Sequence, residues 1–255
     1  MKKRFIITIK NLLFQKFERI QSKNGYSRIY HNHIRKCAGT SMNLAMISAL
    51  GDKSATYEKL TEKRFHKINS QQGPIVGWSK DLINRSSFFY AFSHEPLHQL
   101  EFESDTFIFC LLRDPIDRIV SHYRMLKDMI VSNQDHINLV KEADWAFGDF
   151  DHFISNIPRH HLEAQLYNFS ENYCIFEALK KLKNVHYVVN VDESSKLLIP
   201  KLEHEFNLKI PYQHLRSSQT EFHLSHNQET RLKELLVDEI EFYNRAKFYF
   251  GKSFS

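Results

Sequence analysis

Three runs constrain the fold of this chain more than anything else in it: SFFYAFS at 87–93, TFIFCLL at 106–112 and VHYVVNV at 185–191. Each is near-continuously apolar or aromatic, without the alternation that a strand with one wet face shows. Such runs belong to strands covered on both faces, as in a parallel sheet. A fourth run, RIYHNHI at 28–34, is rich in β-formers but carries polar residues. Helical spacing fills the intervals and the end of the chain, at about 40–50, 115–132, 171–183, 195–206 and 226–249. Strands alternating with helices predict an α/β fold of βαβ units with right-handed crossovers and ligands at the carboxyl ends of the strands. That places Arg35–Ser41, His94 and Arg113 on one rim.

A length of 255 residues with 42% hydrophobic content supplies a sizeable core, and no repeat, low-complexity stretch or Pro/Gly-rich linker divides it. Residues 28–255 therefore read as a single domain. Residues 1–27 form a separate amphipathic helical segment, in which Phe5, Ile6, Ile9, Leu12, Leu13, Phe17 and Ile20 share a face between basic residues. It is neither a signal peptide nor long enough to span a bilayer. It either docks on its own domain or lies on an anionic membrane surface through residues 1–20. A net charge of +5 with 15 histidines favours anionic ligands without demanding nucleic acid. Three widely spaced cysteines, Cys37, Cys110 and Cys174, predict neither a disulfide framework nor a zinc site, and point to a reducing, cytoplasmic compartment.

The stretch HNHIRKCAGTS at 31–41 joins the first strand to a helix beginning near Thr40 or Ser41, both good N-cap residues. First-turn amides have no partner inside a helix, and with the helix dipole they form an anion site. Gly39 would let the backbone approach the anion, and Arg35 and Lys36 would add positive charge. A basic turn with a good cap is the structural alternative. Farther on, LLRDPIDRIVSHY puts Arg113 at the end of a buried strand, Asp114 at an N-cap and Pro115 at the first helical position. Ser121, about two helical turns on, shares the face that looks back to the strand end, so it and Arg113 can converge on a second phosphate. Otherwise Arg113 pairs with Asp114 or Asp117.

HIRKCAGTS and LLRDPIDRIVSHY, in that order and separation, resemble the two phosphate-binding segments of the carbohydrate sulfotransferases, in the branch of heparan sulfate 2-O-sulfotransferase and its bacterial relatives. FYAFSHEP resembles the strand-end segment carrying that family's catalytic histidine, and HLRSS the loop that closes over the nucleotide. The last helix resembles the family's Asp-x-x-x-Tyr-x-x-Ala pattern, here Asp238, Tyr243 one residue too far, and Ala246. The resemblance implies a P-loop-like three-layer α/β/α fold of sulfotransferase type. It implies sulfuryl transfer from 3′-phosphoadenosine 5′-phosphosulfate, with no metal, to a hydroxyl of a glycan or glycolipid. Lys36 would meet the bridging oxygen, and the amides of Cys37, Ala38, Gly39, Thr40 and Ser41 with the Thr40 and Ser41 hydroxyls would hold the 5′-phosphate. Arg35 would add charge there, Arg113 and Ser121 would hold the 3′-phosphate, and Arg216 would close over the nucleotide. The chain departs from the family in having Cys37 where a hydroxyl residue usually follows the lysine, Arg35 in place of a proline, and no second basic residue after Arg216.

His94 is the candidate base, because an acceptor hydroxyl must lose its proton as the new bond forms and histidine titrates near working pH. Glu95 could orient it or take the proton, and His98, His31 and His33 compete, the last two as packing or wall residues. The acceptor is not legible: Tyr57, Phe65, His66, Trp78, Lys80, Trp145, Arg159, His160, His161 and Tyr167 could line a sugar groove or serve the core and surface. A P-loop-like kinase lacks its Gly-Lys-[Ser/Thr] signature and metal-binding acids here, and a non-catalytic glycan- or anion-binding protein would have no need of a base.

Overall fold

The computed structural model describes residues 22–51, 54–62, 65–132, 143–212 and 219–251. The amphipathic stretch 1–20 and the segment holding Arg216 lie outside the described residues. Among those described, no helix is long and apolar enough to cross a membrane.

The four expected strands form as β1 (Arg28–Asn32), β4 (Tyr90–Ser93), β5 (Thr106–Leu112) and β6 (Tyr187–Asn190), in a six-stranded sheet. Two strands the sequence does not announce, β2 (Lys67–Ser70) and β3 (Gly73–Gly77), extend it at one edge. The order is β2-β3-β4-β1-β5-β6, and every pairing is parallel except the β2–β3 hairpin. All seven residues of β5 are buried, as its unbroken apolar run requires. β2, by contrast, is short, polar and largely exposed, as suits an edge. From β1 the chain leaves toward β3 and β4, whereas from β5 it leaves toward β6. Right-handed crossovers in opposite directions put helices on both faces, which gives the three-layer α/β/α architecture. The same reversal opens a crevice between the carboxyl ends of β1 and β5.

The helices are α1 (Gly39–Ala49), α2 (Ser54–Thr61), α3 (Lys80–Asn84), α4 (Pro115–Val131), α5 (Ala143–Ala146), α6 (Phe150–Asn156), α7 (Arg159–Leu162), α8 (Ala164–Phe169), α9 (Ile175–Leu182), α10 (Ile199–Phe206), α11 (His226–Leu235) and α12 (Val237–Tyr249). α4 starts as the sequence predicts: Asp114 accepts from the amides of Ile116 (2.9 Å) and Asp117 (3.2 Å), and Pro115 follows at the first position. The last helical pattern is interrupted at Leu236, where φ −107° and ψ 15° separate α11 from α12. A main core lies around the sheet, and a second apolar cluster joins Ile119 and Tyr123 of α4, Phe150 and Phe153 of α6, Leu232 of α11 and Leu236 at the break after it.

One buried ion pair ties these layers together. Arg118 on α4 and Glu239 on α12 are both wholly buried, with Nε 3.1 Å from Oε1. Arg118 also donates to the carbonyls of His161 and Leu162. Glu239 accepts from the amides of Gln165 (3.1 Å) and Leu166 (3.2 Å) at the start of α8. Both charges are thus satisfied on several sides, the condition under which a buried pair is tolerated. Glu239→Ala strands the guanidinium without its counter-charge and is expected to cost about 3–5 kcal/mol. Urea unfolding measures it, and a loss under about 1 kcal/mol, the ordinary range for a surface pair, contradicts this role.

Candidate active site

After β1 the chain turns through a loop with two left-handed residues, Lys36 (φ 68°) and Ala38 (φ 54°). The amide of Cys37 donates to the Ile34 carbonyl (3.2 Å) and closes the turn, so it is committed to the loop itself rather than to the anion cradle the sequence assigns it. α1 begins at Gly39, earlier than expected, with Ala38 as N-cap and no side-chain cap. Neither Thr40 nor Ser41 is the cap: Thr40 Oγ1 accepts from the Tyr57 hydroxyl (3.4 Å), and Ser41 is buried in the first turn. A helix start without a side-chain cap leaves its first-turn amides suited to an anion.

Gly39 serves a purpose beyond the one its position suggests. A Cβ there would fall 1.8 Å from Cδ2 and 1.9 Å from Nε2 of His33. The glycine makes room for the imidazole that follows β1, and its φ is not in the left-handed region. His33 in turn accepts from Asn43 Nδ2 (3.3 Å), while Asn43 Oδ1 accepts from Tyr90 (2.7 Å) and from His31 Nδ1 (2.7 Å). Burial holds both imidazoles neutral: His31 is pushed down to about 4, and His33 lies well below its ordinary range, lowered further by His94, His31 and Lys36. They are wall residues, and they fix the loop through packing.

Across the crevice, Arg113 follows β5, and its Nη1 donates to the Lys36 carbonyl (3.4 Å). It pairs with neither Asp114, which caps α4, nor the half-exposed Asp117 by any direct bond. The Arg113 backbone is gripped by the buried amide of Gln165, whose Oε1 accepts from the Arg113 amide (2.8 Å) and whose Nε2 donates to its carbonyl (2.9 Å). Gln165 Nε2 also reaches Glu239 Oε1 (3.3 Å), and the Cys37 thiol donates to Gln165 Oε1 (3.6 Å). Cys37 therefore points into the protein, and burial pushes its thiol up to about 12. Arg35, Lys36 and Ser121 are half-buried around the same crevice and on α4. Sequence reasoning names Arg113 and Lys36 but not Gln165, Arg118 and Glu239, which pack around them. One signal was available: Glu239 stands four residues before Tyr243, the separation that Asp238 lacks. Asp238 is 51% exposed and faces Arg159, whereas Glu239 is buried against Arg118.

His94 follows β4 at the surface, with its ring edge-on to His33 (centroids 4.5 Å) and to Trp78 (4.6 Å). Trp78 itself holds a left-handed φ of 59°, with its amide on the Phe92 carbonyl (3.1 Å). A bulky residue in that region is strained, so the β3 end is specified tightly where it backs His94. A cleft of about 320 Å³ opens beside His94, bounded by Arg35, Glu95, Gln99, His160, His161 and Tyr167 among others. The remaining groove candidates divide: Trp145 and Tyr57 are buried, Phe65 is exposed, and Arg159 lies over the Tyr173 ring at 4.1 Å.

Residues 23–248 match the sequence model of the sulfotransferase family. The chain belongs to that family. No curated protein matches it. For a sulfotransferase the rim just described supplies a basic loop, a helix start and a strand-end arginine on one side, and a histidine-lined cleft on the other. Among the described residues no group of His, Cys, Asp and Glu is arranged to hold a metal ion.

The fit between Gly39 and His33 makes a measurable claim. Gly39→Ala should cost about 1–3 kcal/mol through overpacking. In the His33→Ala background the same substitution should cost clearly less, with a coupling of about 0.5–3 kcal/mol in thermal or urea unfolding. Simple additivity contradicts the packing account.

Proposed function

We propose that this sulfotransferase transfers a sulfuryl group from 3′-phosphoadenosine 5′-phosphosulfate to a hydroxyl of a carbohydrate or glycolipid acceptor, in the cytoplasm. The observation that carries the reading is the contact of Arg113 with the Lys36 carbonyl at 3.4 Å, beside a helix start that no side chain caps. A nucleotide with phosphates on both its 5′ and 3′ carbons needs two anion sites a ribose apart. The α1 amides from Gly39 to Ser41 with Lys36 and Arg35 make one, and Arg113 with Ser121 on α4 makes the other. A kinase is disfavoured by the absence of a Gly-Lys-[Ser/Thr] signature in the loop.

The donor supplies an activated sulfuryl group on a phosphate leaving group. Lys36 meets the negative charge that builds on the departing phosphate oxygen, and the α1 amides stabilise the same phosphate. His94 takes the acceptor's proton as the acceptor oxygen bonds to sulfur on the face opposite the leaving oxygen. Trp78 and His33 hold the His94 ring, and the preset geometry of the rim lowers the cost of aligning the two substrates. His31 and His33, neutral and buried, take no part in the proton transfer.

Transfer from labelled donor tests this. Lys36→Ala should cut turnover by about 10²–10³. His94→Ala should cut it by about 10²–10⁴. In both variants 3′,5′-bisphosphoadenosine should still raise the melting temperature without magnesium. Near-normal turnover in either variant removes that residue from the mechanism, and no stabilisation of the wild type by the bisphosphate removes the donor.

A further inference from the structure

We infer that the cleft beside His94 is an acceptor site built for an uncharged sugar unit and set against acidic ones, an inference that rests on the sulfuryl-transfer reading of the same rim. Its size is the first reason. About 320 Å³ sits at the lower end of the range for small-molecule sites, roughly 300–1,000 Å³, and suits a single ring rather than a stretch of polymer.

Charge is the second reason. Apart from its histidines, the residues that line the cleft include two formal charges, Arg35 and Glu95. Arg35 belongs to the loop beside Lys36, where the donor's phosphates already claim positive charge. Glu95 stands on the turn after β4, next to His94, with its amide on Ser93 Oγ (3.2 Å). An acceptor carboxylate or sulfate brought to His94 therefore meets the like charge of Glu95, while Arg35 is shared with the donor phosphates and Lys80 Nζ is turned to Gln99 Oε1 (3.2 Å).

The wall opposite the loop supplies what a neutral sugar wants. His160 and His161 lie together on α7, their rings tilted at 41° with centroids 4.3 Å apart, and burial keeps both below their ordinary range, His161 down to about 3 with Arg35 contributing. Neutral imidazole offers one donor and one acceptor, as a hydroxyl does. Tyr167 on α8 adds a phenol, its ring braced by Tyr173 at 5.3 Å and His98 at 5.3 Å. Gln99 has its carbonyl oxygen engaged by Lys80 Nζ (3.2 Å), which leaves its NH₂ to donate. The wall thus offers both donors and acceptors, which suits hydroxyls better than a row of anionic oxygens.

The test compares lactose with cellobiouronic acid as acceptors for labelled donor. Lactose should be favoured by at least about tenfold in kcat/KM. Glu95→Gln should narrow that ratio by relieving the repulsion, with the donor KM unchanged. Tyr167→Ala should raise the KM for lactose by about tenfold or more while leaving the donor KM and bisphosphate stabilisation intact. Equal use of the two, preference for the uronate, or transfer to neither while 3′,5′-bisphosphoadenosine still stabilises the protein would each overturn the cleft assignment. Loss of that stabilisation in the wild type sinks instead the donor reading beneath it.

Discussion

The side-chain amide of Gln165 is the interaction on which the rim depends. It binds the N–H and the C=O of Arg113 as a neighbouring strand would, takes the Cys37 thiol, and leans on Glu239, whose charge is matched by Arg118. Both sides of the crevice between β1 and β5 are thereby referred to one buried group. Such networks rigidify a site when every member is satisfied, and each orphaned member costs about 1–3 kcal/mol. The anion-binding candidates Lys36 and Arg113 are exposed enough to meet a ligand because the groups that hold them are not.

Much of the fold is legible from the chain alone because it follows from burial. β5 is apolar throughout since both its faces are covered, and Asp114-Pro115 signals the start of α4 through local chemistry that the structure repeats. The β2–β3 hairpin is not legible, because an exposed edge strand such as Lys67–Ser70 has little apolar pattern to display. The loop after β1 is half legible. Its basic residues and its helix start are visible, but Gly39 answers to a ring six residues earlier, and the Cys37 amide and thiol are spent on internal bonds. Gln165 is invisible for a plainer reason: its partners lie 52 and 74 residues away in sequence, and a glutamine in a short helix carries no local signature. Glu239 stands four residues before Tyr243, a spacing visible in the chain, but Asp238 beside it offers the more familiar acid.

Backbone strain recurs where the chemistry is proposed: three of the six non-glycine residues with left-handed φ among the described residues lie there, the others being Ser86, Tyr173 and Asn207. Lys36, Ala38 and Trp78, all just beyond the carboxyl ends of β1 and β3, adopt left-handed conformations without being glycine. Each such residue costs on the order of 1–3 kcal/mol and persists only where its surroundings over-determine it. The surroundings here are the Tyr90–Asn43–His31–His33 cluster under the loop and the sheet ladder behind Trp78. Stability is given up to hold Lys36 beside the proposed anion site and Trp78 behind His94.

The central claim is that Gln165 makes Arg113 and the Lys36 loop one nucleotide site. Calorimetry of 3′,5′-bisphosphoadenosine on wild type, Arg113→Ala, Gln165→Leu and the double variant, each first shown to be folded by its melting curve, tests it most directly. If Gln165 acts by holding Arg113, each single variant weakens binding, and removing Arg113 from the Gln165→Leu protein costs little more, a coupling of about 1 kcal/mol or above. Strictly additive losses would show that Gln165 and Arg113 serve the site separately, and the account of a single registered rim would fall.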